Sequence, residues 1–467
     1  MIRRDKPVRV AISGGHHATL KRHLFPGDDN EAVAFALCGR ARRDDLELLV
    51  VREIVPIPYD VCRVRTPDRV TWAGEALDAT LVRACTEGLA LVKVHSHPSG
   101  YPRFSETDDA ADTELFPSIF GWLNSVAPLA SMIMLPDGML IGRAVQNHGI
   151  GLPLDCVRVA GYDFLFWRSA ADTATIPDHA IRVAQAFGDK TYRLLNALRI
   201  GVVGCSGTGS IVIEQLARNC VGELVLVDPD HVDHKNLNRI LNSTKDDADK
   251  RVSKPQVQHR AIQLMGLGTT VQVFDGDLMS IATLKALSTC DVLFGCMDSI
   301  DGRHVLNKLA SAYVIPLIDV GVLLEADGIG GIDSIWAAVH TILPGGSSLL
   351  SRRVYSQADL DAAFLKRSNP DAYEDQLKRG YIKGIRVDQP AVISVNMVAS
   401  AAAANELLAR IHPYRFRKNK SFAVRRLCLS DQDASSDESD GDVCPAMHRM
   451  VGVGDQEPFL GMIGLGE

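Results

Sequence analysis

The chain has 467 residues, enough for two or three domains, and its 46% hydrophobic and 23% charged residues suit an ordinary soluble globular protein. A net charge of -7 with a pI near 6.1 argues against a general nucleic-acid binder, and no apolar run approaches membrane-spanning length. The apolar part of MIRRDKPVRVAISGG is too short for a signal peptide, and ten scattered cysteines without a CxxC pair fit reduced thiols; a cytoplasmic location is expected. No internal repeat is present.

In the N-terminal third, HSHPSGYPRFSETD spans His95 to Asp108 and reads HxHP, six residues, then SxxD. On a strand, His95 and His97 project from one face. Two imidazoles and the Asp108 carboxylate make the ligand set of a catalytic zinc, which lowers the pKa of water in its open position. Ser105 lies three residues before Asp108 and can reach a developing oxyanion. Glu31, at the head of EAVAFALCG, is the candidate general base. Its competitor Glu53, in VVREIVPIP, reads as a strand residue facing solvent. Tyr101, Pro102 and Phe104, inside the six-residue insert, either line a substrate groove or brace the loop. The set resembles the JAB/JAMM metalloproteases, and the resemblance covers residues 1–150. It implies a zinc-dependent α/β protease domain that cuts ubiquitin-like proteins from lysines or trims their C-termini. Glu31 matches the family's glutamate, just ahead of an apolar strand ending in glycine.

Residues 151–180 mix apolar and turn residues and are expected to be a partly ordered, packed linker. An adenylation-type domain is expected over residues 181–430. RIGVVG reads as a buried parallel strand, GCSGTG as a glycine turn, and IVIEQLARN carries helical spacing. Gly204, Ser206, Gly207 and Gly209 thus form a phosphate cradle at a helix N-terminus, although Ser206 stands where a dinucleotide fingerprint has its middle glycine. GELVLVDPD gives a second buried strand ending in acid, able to bind a ribose hydroxyl or help hold a metal–nucleotide complex. Asp228, Asp230, Asn236 and Arg239 then follow in DxDxxxxxNxxR order.

This stretch resembles the adenylation core of ubiquitin-activating enzymes and of their bacterial ThiF/MoeB-like relatives. It implies a Rossmann-like doubly wound fold using ATP and magnesium to adenylate the C-terminal glycine of a ubiquitin-like protein. Arg182, six residues before Gly188, matches the family arginine that reaches the partner subunit's ATP phosphates, which implies a homodimer. Gln256 occupies the family's usual phosphate-lysine position; Lys254, two residues earlier, is the candidate for that contact, with Lys250 and Arg251 also within reach. Asp298, Arg303 and Asn307 reproduce DxxxxRxxxN, with Asp298 at the magnesium.

No cysteine lies between Cys296 and Cys428, where thioester-forming relatives need one, and LPGGSSLLSRR replaces their zinc-binding cysteines. The adenylate is then handed directly to a separate conjugating enzyme, or carried by a serine, or carried by Cys444 on a mobile tail. Residues 431–467 are expected to be a disordered acidic linker, DQDASSDESDGD, and a tail resting on a surface groove. The basic run before them can dock the acidic one, bind a partner or form a solvated edge strand. Both domains together imply a bacterial fusion whose sites drive opposite directions of one modification cycle. Sulfur-carrier activation for cofactor synthesis and a degenerate scaffold are the alternatives.

Overall fold

A computed structural model of the protein describes residues 6–169, 175–326, 329, 331–379, 392–431, 434–462 and 465. The chain divides into two compact units: residues 1–173 with 311–314 and 450–461, and residues 174–310 with 315–449 and 462–467.

In the first unit the strands are β1 (Val8–Ser13), β2 (Val33–Arg42), β3 (Glu47–Pro56), β4 (Cys62–Thr66), β5 (Arg69–Trp72), β6 (Ala90–Ser96), β7 (Leu129–Met134), β8 (Leu140–Gln146), β9 (Gly149–Pro153), β10 (Cys156–Ala160) and β11 (Phe164–Arg168). The helices are α1 (Gly14–Leu24), α2 (Asp78–Glu87) and α3 (Glu106–Leu123). Nine strands form a mixed sheet in the order β11-β10-β1-β3-β2-β6-β7-β8-β9, and β4 pairs with β5. β2 and β6 are near-continuous apolar runs because they lie centrally, covered on both faces.

In the second unit the strands are β12 (Arg199–Val203), β13 (Glu223–Val227), β14 (Thr270–Phe274), β15 (Val292–Gly295), β16 (Leu317–Ala326), β17 (Ile332–Ile342), β18 (Val424–Cys428) and β19 (Ser435–Glu438). The helices are α4 (Ile181–Phe187), α5 (Asp189–Ala197), α6 (Gly207–Arg218), α7 (Lys245–Asp249), α8 (Lys254–Met265), α9 (Ile281–Leu287), α10 (Ile300–Ala312), α11 (Gln357–Ser368), α12 (Pro370–Lys378), α13 (Ile393–Ile411) and α14 (Pro445–His448). The sheet runs β14-β13-β12-β15-β16-β17-β18-β19, parallel from β14 to β16 and antiparallel beyond. The chain steps from β12 to β13 on one side and returns to β15 on the other. In open parallel sheets such a reversal is where ligands bind, here at the carboxyl ends of β12 and β15. The alanine-rich α13 packs along α6, and its Ser400 hydroxyl donates to the Thr208 carbonyl at 2.9 Å.

Three expectations change. Residues expected to link the domains form β9, β10 and β11 instead. CVRVA pairs with β1 and FLFWR with CVRVA, so the first sheet runs on to Arg168 rather than stopping at residue 150. The acidic run is not a disordered linker over its described residues: Ser435–Glu438 is the edge strand β19, antiparallel to β18. Arginines of the basic run, and Arg352 from further back, pair with it. Asp437 meets Arg417 and Arg425, Glu438 meets Arg426, and Asp440 accepts from Arg352 at 2.8 Å. The tail, finally, is built into the first unit at residues 450–461. The Gly39 N–H donates to the Gly452 carbonyl at 3.1 Å, and Asp455 accepts from the Arg43 guanidinium at 2.8 Å and the Tyr313 hydroxyl at 2.6 Å. A side chain on Gly39 would lie 2.3 Å from the Val453 carbonyl, so glycine there is what lets the tail approach.

Candidate functional site

The first unit's site is set by register. β2 pairs antiparallel with β6, Val33 opposite His95, so the chain running back from Val33 brings Glu31 alongside His97. His95 and His97 leave the same face of β6 and its end, while Ser96 turns the other way and its hydroxyl accepts from the Ala32 N–H at 2.9 Å. Asp108 comes from the first turn of α3. Ser105 caps that helix: its Oγ accepts from the Asp108 N–H at 3.2 Å, and its hydroxyl and backbone N–H both donate to Asp108 Oδ2, at 2.8 and 2.7 Å. Its hydroxyl proton is thus engaged in orienting the carboxylate rather than free for an oxyanion.

His95 Nε2 lies 2.9 Å from Asp108 Oδ1, His97 Nε2 lies 3.4 Å from Asp108 Oδ2, and the two Nε2 atoms are 3.1 Å apart. Among the described residues this is the one group of His, Cys, Asp or Glu side chains close enough to share an ion, with donor atoms within 4.8 Å of one another. His97 Nδ1 is 2.8 Å from the Tyr101 carbonyl, which accepts its proton and leaves Nε2 as the ligand atom. The donor set fits zinc. Burial lowers the pKa of His95, which favours the neutral imidazole that a metal takes, whereas bonds to Asp108 and Tyr101 outweigh burial and raise that of His97. Burial opposes ionisation of Asp108, but its bonds to His95 and His97 hold the carboxyl well below the usual range. Glu31 Oε1 stands 3.9 Å from His97 Nε2, and burial lifts its pKa to about 7. Glu53 is half-buried and paired with Arg83 at 2.9 Å, away from the two imidazoles. The Tyr101 backbone braces His97, and Phe104 lies beneath the Arg143 guanidinium, 3.8 Å from it.

In the second unit the glycine loop joins β12 to α6. Gly204 has φ +93°, and a Cβ there would stand 2.5 Å from the Cys296 carbonyl. A Cβ on Gly209 would stand 1.7 Å from the Gly204 carbonyl, so the loop closes on the helix only with glycine there. Ser206 is the residue before the helix, and its side chain makes no capping bond. Asp228, at the end of β13, accepts from the N–H groups of Cys205 at 2.7 Å and Asp230 at 2.9 Å. Lys254 is buried at the start of α8, with Nζ 2.6 Å from Asp230 and 3.8 Å from Asp228. Its rivals lie elsewhere: Lys250 pairs on the surface with Asp246, and Arg251 is exposed. Burial raises the Asp228 pKa, and Lys254 partly offsets this. Asn236 is buried in a short 3-10 turn, where its side chain accepts from the Asp233 N–H. Arg239 lays its stem against Gly207, 3.3 Å from where a Cβ would stand.

Asp298 is exposed in the loop between β15 and α10, beyond the carboxyl end of β15. Arg303 and Asn307 share a face of α10 but turn inward. Arg303 Nε lies 3.3 Å from the buried Asp319 carboxylate on β16, and Asn307 is fully buried. Arg182 is exposed on α4 and donates to Gln185. Sequence reasoning missed Asp319, which sits inside an apolar strand, LIDVGV. It also missed Asn396 on α13, whose amide nitrogen would lie 2.3 Å from a Cβ on Gly207. The pairing of α13 with α6 is a tertiary contact that spacing does not announce.

None of the ten cysteines is in a disulfide. Every one in the second unit is buried, Cys444 included, where its N–H donates to the Gly346 carbonyl. Cys444 is therefore not displayed on a mobile tail. Burial raises the Cys205, Cys290 and Cys296 thiol pKa values, leaving them unreactive.

Among the described residues no helix is long and apolar enough to cross a membrane. Residues 178–431 match the ThiF family model and residues 15–146 match that of the prokaryotic homologs of the JAB domain. The chain is 32% identical over 138 residues to a SAMP-activating enzyme E1 of Haloferax volcanii, spanning 29% of this chain and 49% of that one. It is 24% identical over 212 residues to ubiquitin-like modifier-activating enzyme 5 of Gallus gallus, spanning 42% and 51%. With the ubiquitin-activating enzyme E1-like protein of Saccharomyces cerevisiae it shares 29% identity over 136 residues, spanning 29% and 21%. The matched part thus covers about half or less of each of these relatives' own length. A crystal structure of E. coli MccB with ATP is 16% identical, with a TM-score of 0.45 over 60% of this chain and 77% of that one. The chain belongs to the ThiF family and carries, ahead of its ThiF domain, a prokaryotic JAB-type domain.

Proposed function

We propose that the second unit adenylates the C-terminal glycine of a ubiquitin-like protein at the expense of ATP, and that the first unit hydrolyses the bond that attaches or extends that same terminus. The observation that carries the proposal is that each unit holds its own set of charged groups, one around His97 and one around Gly204, suited to opposite chemistry.

In the ThiF domain the Gly204 loop and the N-terminus of α6 offer backbone N–H groups to phosphate oxygens. Asp228 receives the ribose hydroxyls, and Lys254 with Arg239 neutralises triphosphate charge. Asp298 holds the magnesium, and the carboxylate of the incoming glycine attacks the α-phosphorus with pyrophosphate leaving. Arg182 acts from a partner copy in a homodimer. With every thiol of the unit buried, the adenylate passes directly to a separate conjugating enzyme.

In the JAB domain His95, His97 and Asp108 hold zinc, which supplies Lewis acidity to the scissile carbonyl and to water. Glu31, its pKa near 7, takes a proton from that water and returns it to the leaving amine. Ser105 holds Asp108 in place.

The test uses full-length protein with a ubiquitin-like protein ending in two glycines. The proposal expects ATP–pyrophosphate exchange that depends on that terminus, and zinc-dependent cleavage of the same protein extended by a C-terminal tag. Exchange that ignores the terminal glycine, or tag removal unaffected by a zinc chelator, would overturn it.

A further inference from the structure

Behind the JAB triad lies a charge cluster that neither the motif nor the proposed mechanism uses. Lys93 stands on β6 two residues before His95, on the same face, and is buried at 4% exposure. Its ammonium lies 2.6 Å from Asp112, one helical turn beyond Asp108 on α3 and 1% exposed. Arg143 reaches the same carboxylate from β8, at 2.6 Å through Nη2 and 3.2 Å through Nε. It also pairs with Asp109, and its Nη2 donates to the backbone carbonyl of Asp108 at 3.4 Å. Its guanidinium covers the Phe104 ring, whose centroid lies 6.3 Å from that of His95.

We infer that Lys93, Asp112 and Arg143 are positioning residues that set the spacing between the two halves of the metal site. The inference rests on the zinc reading of that site. Two ligands ride on β6 and the third on α3, and these elements share no backbone hydrogen bonds. Apart from the ligands themselves, the buried tie between them is Lys93 to Asp112; from the other side Arg143, on β8, holds α3 through the buried Asp112, the exposed Asp109 and the Asp108 carbonyl. Charge supports the assignment. Two cations beside a divalent ion would weaken its binding, and the carboxylates of Asp112 and Asp109 cancel them. The ion thus meets a cluster of no net charge, with Asp108 and Glu31 supplying the negative field. Burial alone would raise the Asp112 pKa; Lys93 and Arg143 overcome that and leave it ionised. Removing such outer partners of a metal site typically costs 10- to 100-fold in affinity.

The test compares full-length wild type, Asp112→Asn and Arg143→Lys. Folding is followed by circular dichroism, zinc affinity by competition with a chromophoric chelator, and ligand geometry by the visible bands of the cobalt-loaded protein. Asp112→Asn keeps the shape and strands two buried cations; Arg143→Lys keeps the charge and loses the forked reach. The expected result is folded protein with zinc affinity down 10- to 100-fold and shifted cobalt bands. Should Asp112→Asn fail to fold, Arg143→Lys decides. A folded variant with wild-type affinity and spectrum overturns the coupling and leaves the zinc reading standing. A wild type that binds neither metal overturns both.

Discussion

Lys254→Met asks most of the second site. The ammonium lies 3.8 Å from the buried Asp228 carboxylate, a Coulombic attraction of about 4 kcal/mol at an effective dielectric of 20. Its shorter contact, to Asp230, adds little, because that carboxylate is largely exposed. Breaking a buried pair costs about 3–5 kcal/mol. Asp228 keeps two backbone N–H donors, so the lower end, about 3 kcal/mol, is expected. The sign of the pH dependence follows from Asp228. Its folded-state pKa is raised, so its charged form already opposes folding at neutral pH. Without Lys254 that penalty grows, and it is relieved as pH falls through the raised pKa. The variant should therefore lose more stability relative to wild type at pH 8 than at pH 5, read by denaturant midpoints. In pyrophosphate exchange, losing a phosphate-facing charge worth about 2–3 kcal/mol should lower kcat/KM for ATP roughly 30- to 150-fold. Lys250→Ala should change nothing. A folded Lys254→Met protein with unaltered kcat/KM for ATP, or a destabilisation larger at pH 5, refutes the reasoning.

Glu31→Gln removes the proton acceptor but no proposed zinc ligand; tag cleavage should fall roughly 100- to 10,000-fold with zinc content unchanged, and cleavage near wild type would remove Glu31 from the reaction. Gly209→Ala puts a methyl 1.7 Å from the Gly204 carbonyl, so the loop must part from α6. Exchange should collapse, with about 1–3 kcal/mol lost in stability, and normal exchange would show that the cradle does not need this closure. Incubating enzyme, ATP and the ubiquitin-like protein and running reducing and non-reducing gels should reveal no thiol-sensitive adduct, because the second unit's cysteines are all buried. Such an adduct would mean that a buried cysteine becomes exposed during turnover.

Both domains were legible because their chemistry is local. HxHP with SxxD places three ligands through one strand end and one helix turn, and the Gly204 loop with Asp228 uses consecutive strand–turn segments. What escaped depends on partners far along the chain. Residues 435–438 read as disordered because their carboxylates lack local apolar neighbours, yet Arg417, Arg425 and Arg426 neutralise both of them. The strands at CVRVA and FLFWR were hidden in a presumed linker because β1, which pairs with the first of them, lies near the other end of the domain. Ser105 was given to the oxyanion because sequence shows its spacing but not where its proton goes. That Arg303 turns inward cannot be read from DxxxxRxxxN, because its buried partner Asp319 belongs to a different strand.

The most direct measurement places Asp298→Ala and Glu31→Gln side by side in both assays, in full-length protein with the same ubiquitin-like substrate. Two independent sites predict that Asp298→Ala loses exchange and keeps tag cleavage, while Glu31→Gln does the reverse. A folded variant of either kind that loses both activities would contradict the account.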